Sequence, residues 1–131
     1  MLFRSKLNPE MCGIGPFVPH KDTKFKNENH GDVSLVLMLL SIIRLLKPNI
    51  LLPATTALGT VDPLGREKGI LHGANVVMPN LSPVKHRKDY SLYDNKICTG
   101  DEAAQCIGCL ADRMKKIGCE IVTDRGDYTE E

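Results

Sequence analysis

A chain of 131 residues is long enough for one domain. Its composition, 42% hydrophobic and 25% charged residues, is that of a globular protein and argues against a disordered chain. The 17 basic and 16 acidic residues leave a formal charge of +1, which gives no electrostatic support for nucleic acid or an anionic membrane as a partner. The longest apolar run, residues 33–43, is too short to span a bilayer, and no signal peptide is recognisable. We therefore expect a cytoplasmic protein, in which cysteines are more often ligands or buried thiols than disulfides.

Three short apolar segments, residues 11–16, 49–53 and 74–79, each end at a proline. Apolar runs without alternation are typical of strands covered on both faces, and proline ends such a strand because it lacks an N–H donor. Helical patterns lie between the segments. The sequence therefore predicts the order strand, helix, strand, helix, strand of parallel βαβ units.

The clearest helix pattern covers residues 32–47, where Asp32 or Ser34 can act as N-cap and Pro48 follows the end. One apolar face comprises Leu35, Leu39, Ile42 and Leu46. A second set extends that face almost all round the helix: Val36, Leu37, Leu40 and Ile43. A helix so apolar is expected to lie between neighbouring elements.

A second, shorter helix is predicted over residues 62–72, with Pro63 at its first turn and Gly73 just past its end. Further helices are predicted over residues 83–90 and 100–117, with a turn at residues 94–95 between them. The basic cluster at residues 85–88 is interpreted as a solvated face. Residues 119–122 are predicted as a final strand, and residues 123–131 as a polar, loose tail.

Three parallel strands with two crossovers leave two open sheet edges and exposed apolar helix faces. Either the chain dimerises or it is part of a larger α/β barrel. The first predicted strand begins almost at once, which favours the barrel and a truncated reading frame.

The active site of such a barrel lies at the carboxyl ends of its strands. There, Thr55 and Thr56 can bind a carboxylate, phosphate or ribose, or simply complete a turn. His20 can carry a proton or form a structural hydrogen bond.

Cys98, Cys106 and Cys109 form a C-x7-C-x2-C pattern in a chain with five cysteines. Cys106 and Cys109 are three residues apart on the predicted helix, so their sulfurs share one face, and Cys98 lies just before it. Three thiolates can hold an iron–sulfur cluster with one open position, or a zinc ion with a fourth donor. The alternative is that the three cysteines are small buried apolar residues.

Five motifs occur in order along the chain: GIGPFVPHKDT at residues 13–23, PATTALGT at 53–60, GRE at 65–67, GANVVMPN at 73–80 and KIC at 96–98. Together they resemble the C-terminal half of the HydE family of radical S-adenosylmethionine maturases. The resemblance extends from about residue 11 to residue 109. Biotin synthase and methylornithine synthase have similar barrels.

The resemblance implies an α/β fold, a partial (β/α)8 TIM-type barrel to which this chain supplies the last three parallel strands, their crossover helices and a C-terminal helical cap. Residues 1–97 would form the barrel portion, 98–122 the cysteine-bearing cap and 123–131 the tail. The implied substrate-binding residues are Met11, Thr55, Thr56, Met78, Tyr90 and Tyr93. The resemblance also implies an accessory iron–sulfur cluster, 2Fe–2S or 4Fe–4S, on Cys98, Cys106 and Cys109.

The implied substrate is a small iron- and cysteine-containing precursor of the di-iron subcluster of the FeFe-hydrogenase H-cluster, with other hydrogenase maturases as partners. The C-x3-C-x2-C motif that holds the radical-forming 4Fe–4S cluster in this family is absent from the chain. We therefore expect S-adenosylmethionine and that cluster in a full-length protein, no cleavage by this chain alone, and no catalytic residue within it. The alternatives are another biotin synthase-like radical enzyme fragment, a subunit that completes a separate N-terminal half-barrel, and a non-catalytic metal-binding or interaction module.

Overall fold

The computed structural model of the chain describes residues 8–90, 92–95, 97, 103–123 and 125–128. In chain order its elements are helix α1 (Val33–Leu46), strand β1 (Pro53–Ala54), helix α2 (Thr56–Val61), helix α3 (Gly65–Leu71), strand β2 (Val76–Val77), a 3-10 helix (Val84–Tyr90) and helix α4 (Ala103–Lys116). The fold therefore combines helices with a small parallel sheet, and a (β/α)8 barrel around that sheet stays a prediction. None of the described helices is long and apolar enough to cross a membrane.

The sheet has two parallel strands among the described residues, and a single bridge places the first predicted segment beside them. β1 pairs in parallel with β2, so that Pro53 lies opposite Val76. On the other side of the same segment, Met11 forms a parallel bridge with Leu51. The predicted parallel pairing with helices between the strands is thus confirmed for β1 and β2, whereas the predicted first strand, residues 11–16, forms only the single bridge at Met11.

Pro53 does not end its strand as the sequence pattern predicted. The amide of Val76 donates to the carbonyl of Leu52 at 3.1 Å, and the amide of Leu52 donates to the side-chain oxygen of Asn75 at 2.8 Å. Because these hydrogen bonds use Leu52, the missing N–H of Pro53 costs the pairing nothing at this position. The strand therefore continues through Pro53 to Ala54.

Helix α1 confirms the clearest helix prediction, with each end moved inward by one residue. Asp32 is its N-cap, and its carboxylate accepts a hydrogen bond from the amide of Ser34 at 2.7 Å. The buried residues of α1 are Val36, Leu37 and Leu40. They share one core with Cys12, Ile50, Leu52, Ala54, Leu58 and Ala74.

Helix α2 was not predicted from the sequence. It begins directly after β1, where Thr55 acts as N-cap and its hydroxyl accepts a hydrogen bond from the amide of Leu58 at 3.3 Å. Six residues are too few to show a helical repeat of apolar positions, so the periodic pattern on which helix predictions depend was missing.

Helix α3 begins later than predicted because residues 62–64 form a turn. The carboxylate of Asp62 accepts a hydrogen bond from the amide of Leu64 at 2.9 Å, and the first helical residue is Gly65. A Cβ atom on Gly65 would lie 2.2 Å from the carbonyl oxygen of Leu58, so only glycine permits α2 and α3 to approach this closely. Gly73, with a φ of +102°, follows the helix as predicted.

Helix α4 confirms the predicted cysteine-bearing helix over its described residues, and Gly118, with a φ of +76°, follows its end. Its buried side is formed by Cys106, Leu110 and Met114, which are spaced four residues apart. The predicted strand at residues 119–122 is wrong, because these residues pair with no strand in the described part of the chain.

The tail at residues 123–131 stays a prediction, although one of its described residues makes a contact with the helical part of the chain. The ammonium group of Lys47, just past α1, lies 5.2 Å from the centre of the Tyr128 ring, and Tyr128 is half-buried. This cation–π contact places the Tyr128 ring beside the residue that follows α1.

Candidate functional site

The loops that follow the three parallel segments lie together at one end of the sheet. Gly15 approaches Thr55 so closely that a Cβ atom on Gly15 would lie 2.7 Å from the threonine hydroxyl oxygen. The amide of Asp94 donates to the carbonyl of Pro19 at 3.1 Å, so the turn at residues 94–95 lies against the first of these loops. Tyr93, half-buried, belongs to the same turn region. The structure therefore brings together residues from the first loop, the second loop and the segment before Cys98.

The register of the sheet places the predicted substrate-binding residues at two different positions along the strand direction. Thr55 and Met78 each follow directly after a paired strand, and Met78 is 49% exposed. Met11 lies opposite Leu51, four residues before Thr55 along the strand direction, which is about 13 Å at the usual rise of a parallel strand. Met11 is thus not brought to the level of Thr55 and Met78. The side chain of Tyr90 lies outside the described residues.

The two threonines of the PATTALGT motif differ in what their hydroxyls do. Thr55 caps α2, so its hydroxyl already has a structural partner. The hydroxyl of Thr56 has no hydrogen-bond partner among the described residues and is half-buried, whereas its carbonyl accepts from the hydroxyl of Thr60 at 3.0 Å. Thr56 is therefore the hydroxyl of this pair that is available to bind a ligand.

The loop after β2 is fixed by an arginine that the sequence analysis assigned to a solvated face. Arg87 is 2% exposed, and it donates to the carbonyls of Ser82 at 2.8 Å and Asn80 at 3.0 Å. The loop lies between two prolines and continues neither a helix nor a strand, so its carbonyls need donors from elsewhere in the chain, and that is the sequence signal from which a buried donor could have been inferred. Arg87 shapes the loop that carries Met78.

His20 forms a structural hydrogen bond through one of its ring nitrogens. Its Nδ1 accepts from the amide of Asp22 at 3.1 Å, and its side chain is 17% exposed. Of the two roles that the sequence left open, the structure shows the structural hydrogen bond.

Two of the three predicted metal ligands lie on α4, and the third, Cys98, lies outside the described residues. Cys106 is 3% exposed and Cys109 is exposed, so the two thiols lie at the boundary between the buried and solvated sides of the helix. No group of three or more metal-binding side chains occurs within the described ranges. The cysteine cluster therefore stays a prediction that depends on where Cys98 lies.

A partly buried ion pair joins α4 to α3. Arg113 binds both carboxylate oxygens of Glu67, the second at 2.6 Å, and also donates to the carbonyl of Pro63. Burial opposes the ionisation of Glu67, but the hydrogen bond and charge of Arg113 outweigh it, so the pKa of Glu67 is lowered. The pair fixes the orientation of the helix that presents Cys106 and Cys109.

Comparison with known proteins extends the motif resemblance to nearly the whole chain. No family model matches the chain. It is 43% identical over 126 residues to the FeFe hydrogenase maturase subunit HydE of Thermotoga maritima. The chain resembles the C-terminal region of HydE.

The match covers 96% of this chain and 36% of HydE, so the chain spans about a third of the length of that relative. All five motifs quoted above fall within the sequence that resembles HydE, since almost the entire chain aligns. The individual roles of the predicted site residues stay predictions.

Proposed function

We propose that this chain is the C-terminal part of a HydE-type radical S-adenosylmethionine maturase that acts in assembly of the di-iron subcluster of the FeFe-hydrogenase H-cluster. The observation that supports this most strongly is the 43% identity to HydE over 96% of the chain. The proposal places the protein in the reducing cytoplasm, where thiolates remain available to bind iron, and makes other hydrogenase maturases its partners.

In this proposal the chain shapes the wall of a substrate cavity. The Thr56 hydroxyl orients a polar, amino-acid-like part of a small iron- and cysteine-containing substrate, and the Met78 thioether provides a soft apolar surface beside it. Arg87 holds the loop that carries Met78 by its hydrogen bonds to two loop carbonyls. The radical-forming 4Fe–4S cluster and S-adenosylmethionine supply a 5′-deoxyadenosyl radical, and they are held by a part of the protein that contains the C-x3-C-x2-C motif.

A chimeric enzyme tests this function. The aligned region of Thermotoga maritima HydE is replaced by this chain, and maturation of an FeFe hydrogenase is measured as hydrogen evolution. We expect the chimera to mature the hydrogenase and Thr56→Val to reduce its maturation rate about tenfold, because one hydrogen bond to the substrate is lost.

Thr55→Val is the matched comparison for Thr56→Val. It removes the N-cap of α2, so we expect a lower melting temperature of the chimera, whereas Thr56→Val leaves the melting temperature unchanged. A chimera that folds but matures no hydrogenase would contradict the proposed function.

We further propose an accessory iron–sulfur cluster on Cys98, Cys106 and Cys109. Cys109 is exposed and thus accessible to a cluster, whereas Cys106 presents its thiol from the buried side of α4. The expected result is iron and sulfide binding after anaerobic reconstitution, and its loss in Cys109→Ser. Cys119→Ser is the matched control, since Cys119 is another free cysteine outside the C-x7-C-x2-C pattern.

The same measurement distinguishes the HydE-type function from a second candidate, a non-catalytic metal-binding module. The exposed thiol of Cys109 favours this module. Stoichiometric zinc without sulfide, lost in Cys109→Ser, together with an inactive chimera, would support the module. Iron with sulfide together with an active chimera supports the HydE-type function. Iron that is retained in Cys109→Ser would contradict the accessory cluster.

A further inference from the structure

Helix α2 contacts the residue that precedes Cys98 in the chain. The amide of Ile97 donates to the hydroxyl oxygen of Thr60 at 3.4 Å. A Cβ atom on Gly59 would lie 2.9 Å from the Cδ1 atom of Ile97, so the missing side chain of Gly59 leaves room for the end of the isoleucine side chain. Two neighbouring residues of α2 therefore hold Ile97, one by its backbone and the other by its side chain.

The hydroxyl of Thr60 is oriented to accept this hydrogen bond. It donates its own hydrogen to the carbonyl of Thr56, one turn earlier in α2, at 3.0 Å. Because a hydroxyl group has one hydrogen and two lone pairs, its lone pairs remain for the amide of Ile97. Valine has nearly the same shape as threonine but has no atom that accepts from this amide. The contact between α2 and Ile97 therefore depends on a hydroxyl at position 60.

The other two predicted ligands are fixed to the same pair of helices. α4 carries Cys106 and Cys109, and the ion pair of Arg113 with Glu67 joins it to α3. α3 in turn lies directly against α2. The pair of helices α2 and α3 therefore contacts the chain both at Ile97 and at α4.

We propose that Thr60 and Gly59 are positioning residues for the accessory iron–sulfur site: they hold Ile97, and through it Cys98, beside the two cysteines of α4. Consecutive Cα atoms are about 3.8 Å apart, so the position of Ile97 limits where Cys98 can lie. Residues that do not touch a metal often orient its ligands in this way. The inference rests on the accessory cluster of the proposed function, because it concerns the ligands of that cluster.

The test measures the position of Cys98 in the metal-free 131-residue chain, so it does not depend on cluster assembly. A short bifunctional thiol reagent cross-links two cysteines only where their sulfurs lie close together. Proteolytic cleavage after Glu102 separates Cys98 from Cys106 and Cys109, so only a cross-link keeps the two peptides joined. Mass spectrometry of the joined peptides then gives the initial rate of cross-linking.

We expect the parent chain to form this cross-link and Thr60→Val to lower its rate about two- to tenfold, which is the effect of one lost hydrogen bond. Thr60→Ser is the matched control, because it keeps the hydroxyl and should cross-link at the parent rate. Ile97→Ala removes the side chain that packs on Gly59 and should also lower the rate. This second variant leaves α2 unchanged, so it tests the inference even if Thr60→Val does not fold.

A parent chain that forms no cross-link between Cys98 and α4 would overturn the inference, and so would equal rates in the parent, Thr60→Val and Ile97→Ala. A rate that falls as far in Thr60→Ser as in Thr60→Val would also overturn it, since the hydroxyl would then have no role. Anaerobic reconstitution of the parent reports on the cluster separately. If the parent binds no iron and sulfide but the cross-linking rates differ as expected, the accessory cluster is contradicted and the positioning of Cys98 by Thr60 is supported.

Discussion

Glu67 holds α4 against α3 through a carboxylate that is largely shielded from water. Its side chain is 9% exposed, and both of its oxygens are bound by Arg113, whose side chain is 23% exposed. Bidentate arginine–carboxylate pairs are among the stronger polar contacts in proteins, and removing one partner leaves the other charge partly buried. This residue pair is therefore a sensitive point for stability.

We predict that Glu67→Gln lowers the free energy of unfolding by about 1–3 kcal/mol at pH 7, as measured by urea unfolding. Lys68→Gln, on the same helix, is the control. It removes an ion pair with Asp62 in which the lysine is 46% exposed, so we expect a loss of at most about 0.5 kcal/mol. Similar losses in both variants would show that the Glu67–Arg113 pair has no special role.

The effect of Glu67→Gln depends on pH in a direction fixed by the lowered pKa of Glu67. A carboxyl group whose pKa is lower in the folded state stabilises it fully above the ordinary value for glutamate, about 4.3, and this contribution is lost as the pH falls through the folded-state pKa. The difference in unfolding free energy between the parent and Glu67→Gln should therefore shrink below about pH 4.3. Asp62, whose pKa is lowered mainly by its hydrogen bond with Lys68, is present in both proteins and cancels in this comparison.

The sequence identified which residues have side chains suited to the site, but it did not predict which hydrogen bonds those side chains form. The PATTALGT motif identified two hydroxyls at a strand end, but whether Thr55 or Thr56 caps a helix depends on α2, whose six residues carry no periodic pattern. Arg87 stands among basic neighbours in the sequence, and its burial accompanies its hydrogen bonds to the carbonyls of Ser82 and Asn80 in a loop earlier in the chain. Such contacts depend on tertiary geometry that local patterns do not encode.

At the scale of elements, the long periodic helices were predicted well and the short ones poorly. α1 and α4 each have 14 residues, enough for apolar and capping patterns to indicate both type and position. The predicted strand at residues 119–122 was wrong because a short apolar run becomes a strand only when a neighbouring strand pairs with it. The segments that contain β1 and β2 were predicted correctly because they pair with each other, whereas the first segment, residues 11–16, has only one bridge.

The close approach of α2 and α3 gives a prediction about Gly65. Gly65→Ala places a methyl group 2.2 Å from the carbonyl oxygen of Leu58, a backbone atom that cannot turn aside. We expect a loss of at least about 2 kcal/mol in the free energy of unfolding, measured with urea. Gly108→Ala is the matched control on α4, where a Cβ atom meets nothing within 4 Å, and alanine should stabilise the helix by about 0.5–1 kcal/mol. Equal effects at the two positions would mean that helix propensity, not the close approach, decides the outcome.

For the whole molecule, the order of parallel segments and the resemblance to HydE were both accessible from the sequence, because they depend on several motifs that occur in a fixed order. Which face of α1 is exposed was not accessible from the sequence. The sequence shows that α1 is apolar almost all round, but it does not show which face the available core can cover. The structure answers this: Val36, Leu37 and Leu40 are buried in the core, whereas Leu35 and Leu46 remain exposed.

The two ends of the described chain meet at Lys47. Its ammonium group donates to the side-chain oxygen of Asn8 at 2.6 Å and to the carbonyl of Pro9 at 2.7 Å, and it lies 5.2 Å from the centre of the Tyr128 ring. Exposed cation–π contacts contribute about 0.5–1 kcal/mol, which corresponds to a two- to fivefold change in an opening equilibrium. This contact should therefore control how often the tail detaches.

We predict that Tyr128→Ala increases the rate of tryptic cleavage after Arg125 about two- to fivefold, because cleavage of a transiently detached segment follows the population of the detached state. Arg125 is itself exposed, so its own accessibility does not limit the reaction. Tyr128→Phe retains the ring over Lys47 and should cleave at the parent rate. Cleavage that rises equally in Tyr128→Phe would assign the contact to the phenol hydroxyl, and an unchanged rate in Tyr128→Ala would show that Lys47 does not hold the tail.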